Sequence, residues 1–486
     1  LATSSLIAGA TQPRVIHAPI HLPRERRLSL IALTSLVFFT TCGGAYGIEP
    51  LIGAIGPGLA ILFIVVTPFV WSLPISLMVA ELTTLMPEEG GYYIWVREAL
   101  GPFWAVQEAF LTMSSCVALL AIFPVLFVSY LTFFFPSLAP SADATHPFLG
   151  AFLRWFIAFL VTITAMAVNL RGSREVGSSA KIGATFVLGA FVMLIIAWLA
   201  WGPAPGNAFL IIREDLASHR ASALLLGISY VVFNFSGWDN ISTYAAEVDR
   251  PQRNYPLAIG IGLVVIVLTY LLPVIAGITV TTSPQVWSAD AGWPAIAELI
   301  GGRSMGALLA AAGLVGTWGL FNAQLLYVSR LPFVMACDGW LPKILAKISQ
   351  DTAVPKLAII GFCVLTVIFA ALSFGSLAVI QCLTYVGALT LEFLALIILR
   401  IRRRNAARSF RVPGGWLGLA YVCLAPFCFA MLVIYSTLRD WRSFPGQLLV
   451  VGVAVLGGVV LYFVRRKIAL PACILDNAKH ESAVDA

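Results

Sequence analysis

The residues best placed to do chemistry lie in two short stretches, each inside an apolar run. The first reads Thr41-Cys42-Gly43-Gly44-Ala45-Tyr46-Gly47-Ile48-Glu49-Pro50. It interrupts an apolar segment with three glycines, a carboxylate and a proline. The second reads Phe233-Asn234-Phe235-Ser236-Gly237-Trp238-Asp239-Asn240. A broken helix frees backbone N–H and C=O groups. At membrane depth, irregular backbone persists only where protein buries it or where it lines a wet cavity. Groups freed in this way can hold a charged small molecule, so the chemistry on offer is recognition. The plainer reading of glycine alone is close helix packing. An acid closes each break, Glu49 in the first and Asp239 in the second, where a second half-helix would start. The positive end of a helix dipole favours a carboxylate there. Each acid is therefore either a cap or an attractor for a substrate's ammonium group. Pro50 suits the first turn of the restarted helix.

The elements that must position these breaks follow from composition. The chain has 486 residues, 60% of them hydrophobic and 11% charged. Soluble proteins carry about 25% charged residues. Apolar runs of about 20 residues are long enough to cross a bilayer as helices. The alternating pattern of a membrane β-barrel is missing. The expected fold is an all-α polytopic membrane protein with twelve transmembrane helices, near residues 29–55, 57–84, 103–135, 148–169, 177–201, 221–248, 255–280, 304–331, 357–373, 376–399, 414–437 and 445–465. The expected organisation is a cytosolic arm (1–27), a first half (28–201), a second half (221–400) inverted relative to it, two further helices (412–466) and a cytosolic tail (467–486). The breaks fall in the first and sixth spans, corresponding places in two halves, and that correspondence is itself a pointer to a binding site.

Charge supports this topology. Cytoplasmic loops of membrane proteins are rich in Lys and Arg. With both termini cytoplasmic, 24 of the 30 basic residues fall on the inner side. Residues 1–27 carry four arginines and no separate apolar core, so they read as an arm and not as a cleaved signal. The expected location is the plasma membrane, or the inner membrane of a bacterium.

Several classes are disfavoured. The net charge of +7 follows membrane topology and does not suggest nucleic acid. The eight cysteines are scattered without metal-ligand spacing or a disulfide framework. There is no phosphate-binding glycine loop and no hydrolytic motif, so an enzyme, a cofactor and direct ATP coupling are not expected. The five histidines lie outside the spans. Glu81, Glu108 and Glu392 fall in the inner third of their spans, near basic loops. Structural pairing with arginine or backbone is expected for all three, ahead of proton transport. Asn322, Gln324, Gln381, Thr384 and Tyr385 lie deeper, placed either to line a cavity or to join helices.

Several stretches also carry a family likeness. They are Gly43 through Glu49, then Ala80-Glu81-Leu82 leading into Pro87-Glu88-Glu89-Gly90-Gly91-Tyr92, and Trp95-Val96 through Leu100-Gly101-Pro102-Phe103-Trp104. Further on come Phe123-Pro124-Val125-Leu126-Phe127, Phe233-Asn234, Trp238-Asp239, Ser242-Thr243, Glu247-Val248, Asp338-Gly339-Trp340-Leu341-Pro342 and Leu391-Glu392-Phe393. In this order the chain resembles the amino acid–polyamine–organocation superfamily over nearly its whole length. Within that superfamily it is most similar in look to the plant and protozoan polyamine and L-type amino acid uptake transporters. The resemblance implies the leucine-transporter type of five-plus-five inverted repeat, with the first and sixth helices unwound around the site. It implies that Gly43, Gly44 and Ala45 hold a substrate carboxylate through their N–H groups, and that carbonyls of the second break hold the amino group. It also implies that Trp238 shutters the site.

Two departures bear on substrate and coupling. Polyamine-transporting relatives often carry an acid and a tyrosine in the third helix, where this chain has Leu119 and Phe123. Several proton-coupled members carry a lysine at the position of Val187, whereas Lys181 faces another side of its helix. Glu49 is kept as in the polyamine group. The expectation is a secondary active permease for amino acids working by alternating access. Polyamine uptake on the same fold is the alternative, and a non-transporting amino acid sensor a further one. The expected substrate-binding residues are Gly43, Gly44, Ala45, Tyr46, Gly47, Glu49, Phe123, Phe233, Asn234, Phe235, Ser236, Trp238, Asp239 and Tyr385. The expected partners are a small amino acid or polyamine and the lipid bilayer, with no nucleic acid and no obligate protein partner. The coupling ion, H+ or Na+, stays open.

Overall fold

The computed structural model describes residues 30–86, 90–140, 147–203, 211–213, 224–240, 250–288, 292–349, 354–404, 406, 408 and 410–484. The arm at 1–27, and Glu88, Glu89, Ser242, Thr243 and Glu247 from the family-like stretches, lie outside them. Among the described residues there is no strand. Nine stretches there are long and apolar enough to cross a membrane, and two shorter apolar helices accompany them.

The chain opens with α1 (Leu30–Thr41), breaks, and resumes as α2 (Glu49–Ile55). Pro50 stands in the first turn of α2, where a missing N–H costs nothing. The break itself requires glycine. Gly44 has φ +112°, and a Cβ there would lie 2.5 Å from a methyl of Val187. Next come α3 (Pro57–Thr67) and α4 (Leu73–Leu85), joined by a π-helical turn at Pro68–Ser72. Pro68 and Pro74 cannot donate to the ladder, so the helix widens locally to keep its remaining bonds. A short helix α5 (Gly91–Leu100) leads into α6 (Pro102–Leu131), then α7 (Pro147–Arg171) and α8 (Ser173–Trp201).

The second half starts with α9 (Leu224–Asn234), which ends at the second break. It continues with α10 (Pro251–Val280), α11 (Gly292–Val328), α12 (Arg330–Cys337), α13 (Lys356–Phe369) and α14 (Phe374–Arg402). A non-helical step at Gly301 and Gly302 divides α11. The eighth expected span therefore starts just after this step. Last come α15 (Gly415–Asp440) and α16 (Pro445–Val484).

The helices α6, α11 and α14 bury long runs of side chains, and α1 and α9 pack among them. α16 instead turns Leu449, Val453, Leu456 and Val460 outward, an apolar surface suited to lipid. Polar bonds tie the interior together. Asn169 of α7 donates to Asn322 of α11 (2.9 Å), and Gln324 of α11 donates to the Thr40 carbonyl at the end of α1 (2.8 Å).

Glu81 is paired as expected. It faces Arg408 (2.6 Å) and Arg400 (3.6 Å) and accepts from the Val412 amide (2.8 Å). The same expectation fails for Glu108 and Glu392. Among the described residues neither meets an arginine, and Glu392 has no hydrogen-bond partner on either oxygen. The sequence shows basic residues nearby along the chain, but the helix faces turn these two acids inward, away from them.

Candidate substrate site

The two breaks touch. Gly237 (φ +97°) lies so close to α1 that a Cβ would sit 2.5 Å from the Thr40 carbonyl oxygen. Asn234 donates from Nδ2 to the Gly47 carbonyl (2.9 Å) and to Tyr230 one turn back (2.8 Å). The Tyr270 hydroxyl of α10 donates to the Asn234 carbonyl (2.7 Å). Backbone groups freed by each break are thus partly satisfied by the other break and by neighbouring helices, as burial demands.

Between the breaks lies a small cavity of about 20 Å³, little more than one water needs. Of the expected residues, Tyr46, Phe123, Phe233, Asn234 and Ser236 line it. Thr40, Thr41, Cys42, Leu119, Leu126, Tyr270, Thr317, Leu320 and Gln324 complete the wall. Three buried oxygens there have no partner: Thr41 Oγ1, Asn234 Oδ1 and Gln324 Oε1. The two amide oxygens lack donors, and the Thr41 hydroxyl lacks a partner of either kind.

The other expected residues surround the cavity without lining it. Gly43 packs under Leu320, and its amide donates to the Phe38 carbonyl (3.1 Å). Ala45 accepts at its carbonyl from the Trp293 indole (2.6 Å). Gly47 approaches Phe233, where a Cβ would sit 2.7 Å from the ring. Glu49 is turned to one side and is well bonded. It accepts from the Gly47 amide (2.6 Å), the Tyr130 hydroxyl (2.9 Å) and the Trp293 amide (3.4 Å). Phe235 packs on Tyr270 at 5.1 Å between ring centroids. Trp238 is fully buried outside the lining, and Phe233 holds the place at the cavity wall. Asp239 accepts from the Tyr385 hydroxyl (2.5 Å), which itself accepts from the Gly237 amide (3.2 Å). Val187 lies on Gly44, so the position where some relatives carry lysine is apolar and fully buried.

Two layers close the cavity. On one side an aromatic cluster separates it from a cleft of about 680 Å³ lined by Arg154, Trp155, Tyr230 and Phe374. Phe233 is 6.2 Å from Phe123 and 5.5 Å from Phe374 between centroids, and Tyr230 stacks on Phe374. The opposite end of the bundle is held by polar bonds. Tyr93 and Arg97 both reach Asp338 at 2.6 Å, Arg403 pairs with Glu98 at 2.5 Å, and Arg402 donates to the Ala99 carbonyl at 2.8 Å. Burial works against the Arg97 charge, and Asp338 with the Tyr93 phenol outweighs it, so the guanidinium holds its proton more tightly than usual.

Residues missed by the sequence reading include Tyr270 and Thr317 in the wall, and Tyr130 and Trp293 around Glu49. Their only signal was a polar group inside an apolar run.

An apolar bundle of helices enclosing a small polar cavity between two interrupted helices is the architecture of a solute permease. A family model described as amino acid permease matches residues 28–455, and the chain belongs to that family. It is 33% identical over 416 residues to "Polyamine transporter PUT1" of Oryza sativa subsp. japonica, which covers 85% of this chain and 75% of the relative. It is 30% identical over 402 residues to "Polyamine transporter RMV1" of Arabidopsis thaliana, covering 82% and 79%. To human "Large neutral amino acids transporter small subunit 2" it is 24% identical over 459 residues, covering 90% and 80%.

Proposed function

We propose that this permease takes up linear polyamines by secondary active transport with alternating access. The observation that carries the reading is the electrostatics of the site. Unpaired buried oxygens of Thr41, Asn234 and Gln324 line the cavity, and Asp239 stands behind its wall. Buried acceptors and carboxylates call for a ligand rich in donors and positive charge. The likeness to plant polyamine transporters supports the same reading.

A second reading, a neutral amino acid, is favoured by the amides of Gly44 and Ala45 in the first break and by the likeness to a large neutral amino acid transporter. The Gly43 amide is already bonded to Phe38, so two of the three amides suggested for a carboxylate cradle are left to that reading.

The proposed topology counts the broken α1–α2 pair, α3 with α4, and α6 through α16 without the short α12 as twelve crossings. The breaks then open two inverted five-helix repeats. Both termini face the cytoplasm of a plasma or bacterial inner membrane, in keeping with the distribution of Lys and Arg. In this frame the cleft at Arg154 is external and the Arg97–Asp338 network cytoplasmic. Substrate enters past Phe233, binds at the breaks, and leaves when the cytoplasmic network opens. The decisive experiment is uptake of labelled putrescine, spermidine, arginine and leucine by purified protein in liposomes, with and without proton and sodium gradients. Saturable amine uptake supports the reading. Leucine uptake without amine uptake sinks it, and binding without uptake of any substrate identifies a sensor.

A further inference from the structure

We propose that Glu108 and Glu392 form a second ammonium-binding subsite, on the cytoplasmic side of the central cavity, that receives the distal charge of a long linear polyamine. The inference rests on the polyamine reading of the central site and extends it to chain length.

Both carboxylates are fully buried. Glu392 has no hydrogen-bond partner on either oxygen, and Glu108 has one only, the Thr112 hydroxyl at 2.7 Å. No ion pair reaches either acid among the described residues. Glu81 is equally buried and is met by two arginines and an amide. An unpaired buried carboxylate costs several kcal/mol after relaxation. Two of them on facing helices therefore make a strong demand for a cation.

Their placement ties them to the central site. Ser115 of α6 donates to the Gln381 carbonyl of α14 (3.4 Å), which sets these two helices side by side at cavity level. Gln381 Nε2 reaches Ser236 Oγ of the cavity wall (3.3 Å), and its own Oε1 is unpartnered. From Ser115, Glu108 lies two turns back along α6, about 10 Å away. From Tyr385, which holds Asp239, Glu392 lies two turns on along α14, again about 10 Å and on the same face. The two helices run in opposite directions in the proposed topology, so both steps lead toward the cytoplasm. The Cys116 thiol and the Tyr327 hydroxyl, 3.9 Å apart, continue the polar seam.

The acids are spread along this seam. Among the described residues no three His, Cys, Asp or Glu side chains gather closely enough to hold a metal ion. Separated carboxylates suit separated charges on one flexible chain. A short diamine held at the breaks falls short of a subsite about 10 Å away, whereas a triamine or tetramine spans that distance.

The test is competitive uptake of putrescine, spermidine and spermine by purified protein in liposomes, for wild type, Glu108→Gln, Glu392→Gln and the double variant. The ratio of kcat/KM for spermidine over putrescine is expected to fall about tenfold in each single variant, the loss of one charge-assisted bond. Spermine should follow spermidine. Thermal unfolding of each variant is read alongside, and Glu392→Gln should unfold no lower than wild type because it removes an unpaired buried charge. An unchanged ratio in well-folded variants overturns the subsite alone. Equal loss for all three amines, with exchange retained and gradient-driven uptake lost, also overturns it and assigns the acids to ion coupling. Wild-type protein that carries leucine and no amine refutes the substrate reading, and the subsite with it.

Discussion

The two breaks use one backbone device for different ends. Each follows a helix end, α1 at Thr41 and α9 at Asn234, uses glycine at positive φ, and carries a carboxylate that a tyrosine holds: Glu49 by Tyr130 (2.9 Å) and Asp239 by Tyr385 (2.5 Å). In the first break the surroundings saturate the acid. Glu49 takes three donors, and Trp293, Gln324 and Asn234 fasten carbonyls of the loop or of the helix end before it. In the second break Asp239 is likewise bonded, by Tyr385, and donors run out only at Glu108, which has the Thr112 hydroxyl alone, and at Glu392, which has none. The lesson is that a carboxylate beside a helix break does not announce its role. The number of donors facing it does. Saturated, it is an anchor; unsaturated, it attracts cations. Glu81 and Glu392 repeat the contrast.

Four measurements would break or sharpen this comparison. The largest effect is expected at Glu81. Glu81→Gln leaves Arg400 and Arg408 without their counter-charge and should cost about 3–5 kcal/mol of stability, read as earlier thermal unfolding in detergent. If Glu392→Gln costs as much, the distinction between saturated and unsaturated acids collapses.

Next comes Asp239→Ala, which strips Tyr385 and the second break of their charged partner. Uptake should fall roughly 10- to 100-fold, corresponding to about 1–3 kcal/mol, and Tyr385→Phe should reproduce most of the loss. Normal uptake in both variants would remove this break from the transport cycle.

Glu49→Gln is expected to act differently. An amide cannot accept all the donors that now face the carboxylate, so stability should drop by about 1–2 kcal/mol. The loss of uptake should be the same for leucine, putrescine and spermidine. A selective loss for amines at unchanged stability would return Glu49 to the substrate and erase the contrast between the breaks.

The last measurement concerns the glycines. Gly43→Ala places a side chain at φ +58° against the movable Leu320, with an expected cost of about 1–2 kcal/mol. Gly237→Ala should cost more, because its Cβ meets the fixed Thr40 carbonyl at 2.5 Å. Thermal unfolding of the two variants in the opposite order would mean that the contact between the breaks is looser than described.

Much of the fold was legible because membrane burial leaves a strong linear mark. Apolar runs, three glycines and Pro50 fall where the helices run and break. Five expected residues line the cavity, because the breaks are local events written in local sequence. The misread residues concern direction and partners. The resemblance implies Trp238 as the shutter; its side chain is fully buried and lies outside the cavity lining, to which Phe233 contributes. Glu108 and Glu392 read as paired because arginines are near in sequence, yet their helix faces point where no arginine reaches. Tyr270 carries no signal beyond one hydroxyl in an apolar helix, and packing of α10 against the break gives it a role.

Hydrophobicity and helix-breaking residues act over a few positions, so the sequence alone determined that this chain is a bundle of apolar helices with two interrupted segments. Which carboxylates are neutralised depends on side chains 80 to 330 residues away, as with Glu49 and Tyr130 or Glu81 and Arg408. Only the tertiary structure could decide that, because burial makes a charge costly and the cost is met or left unmet by whatever partner the packing brings within about 3 Å.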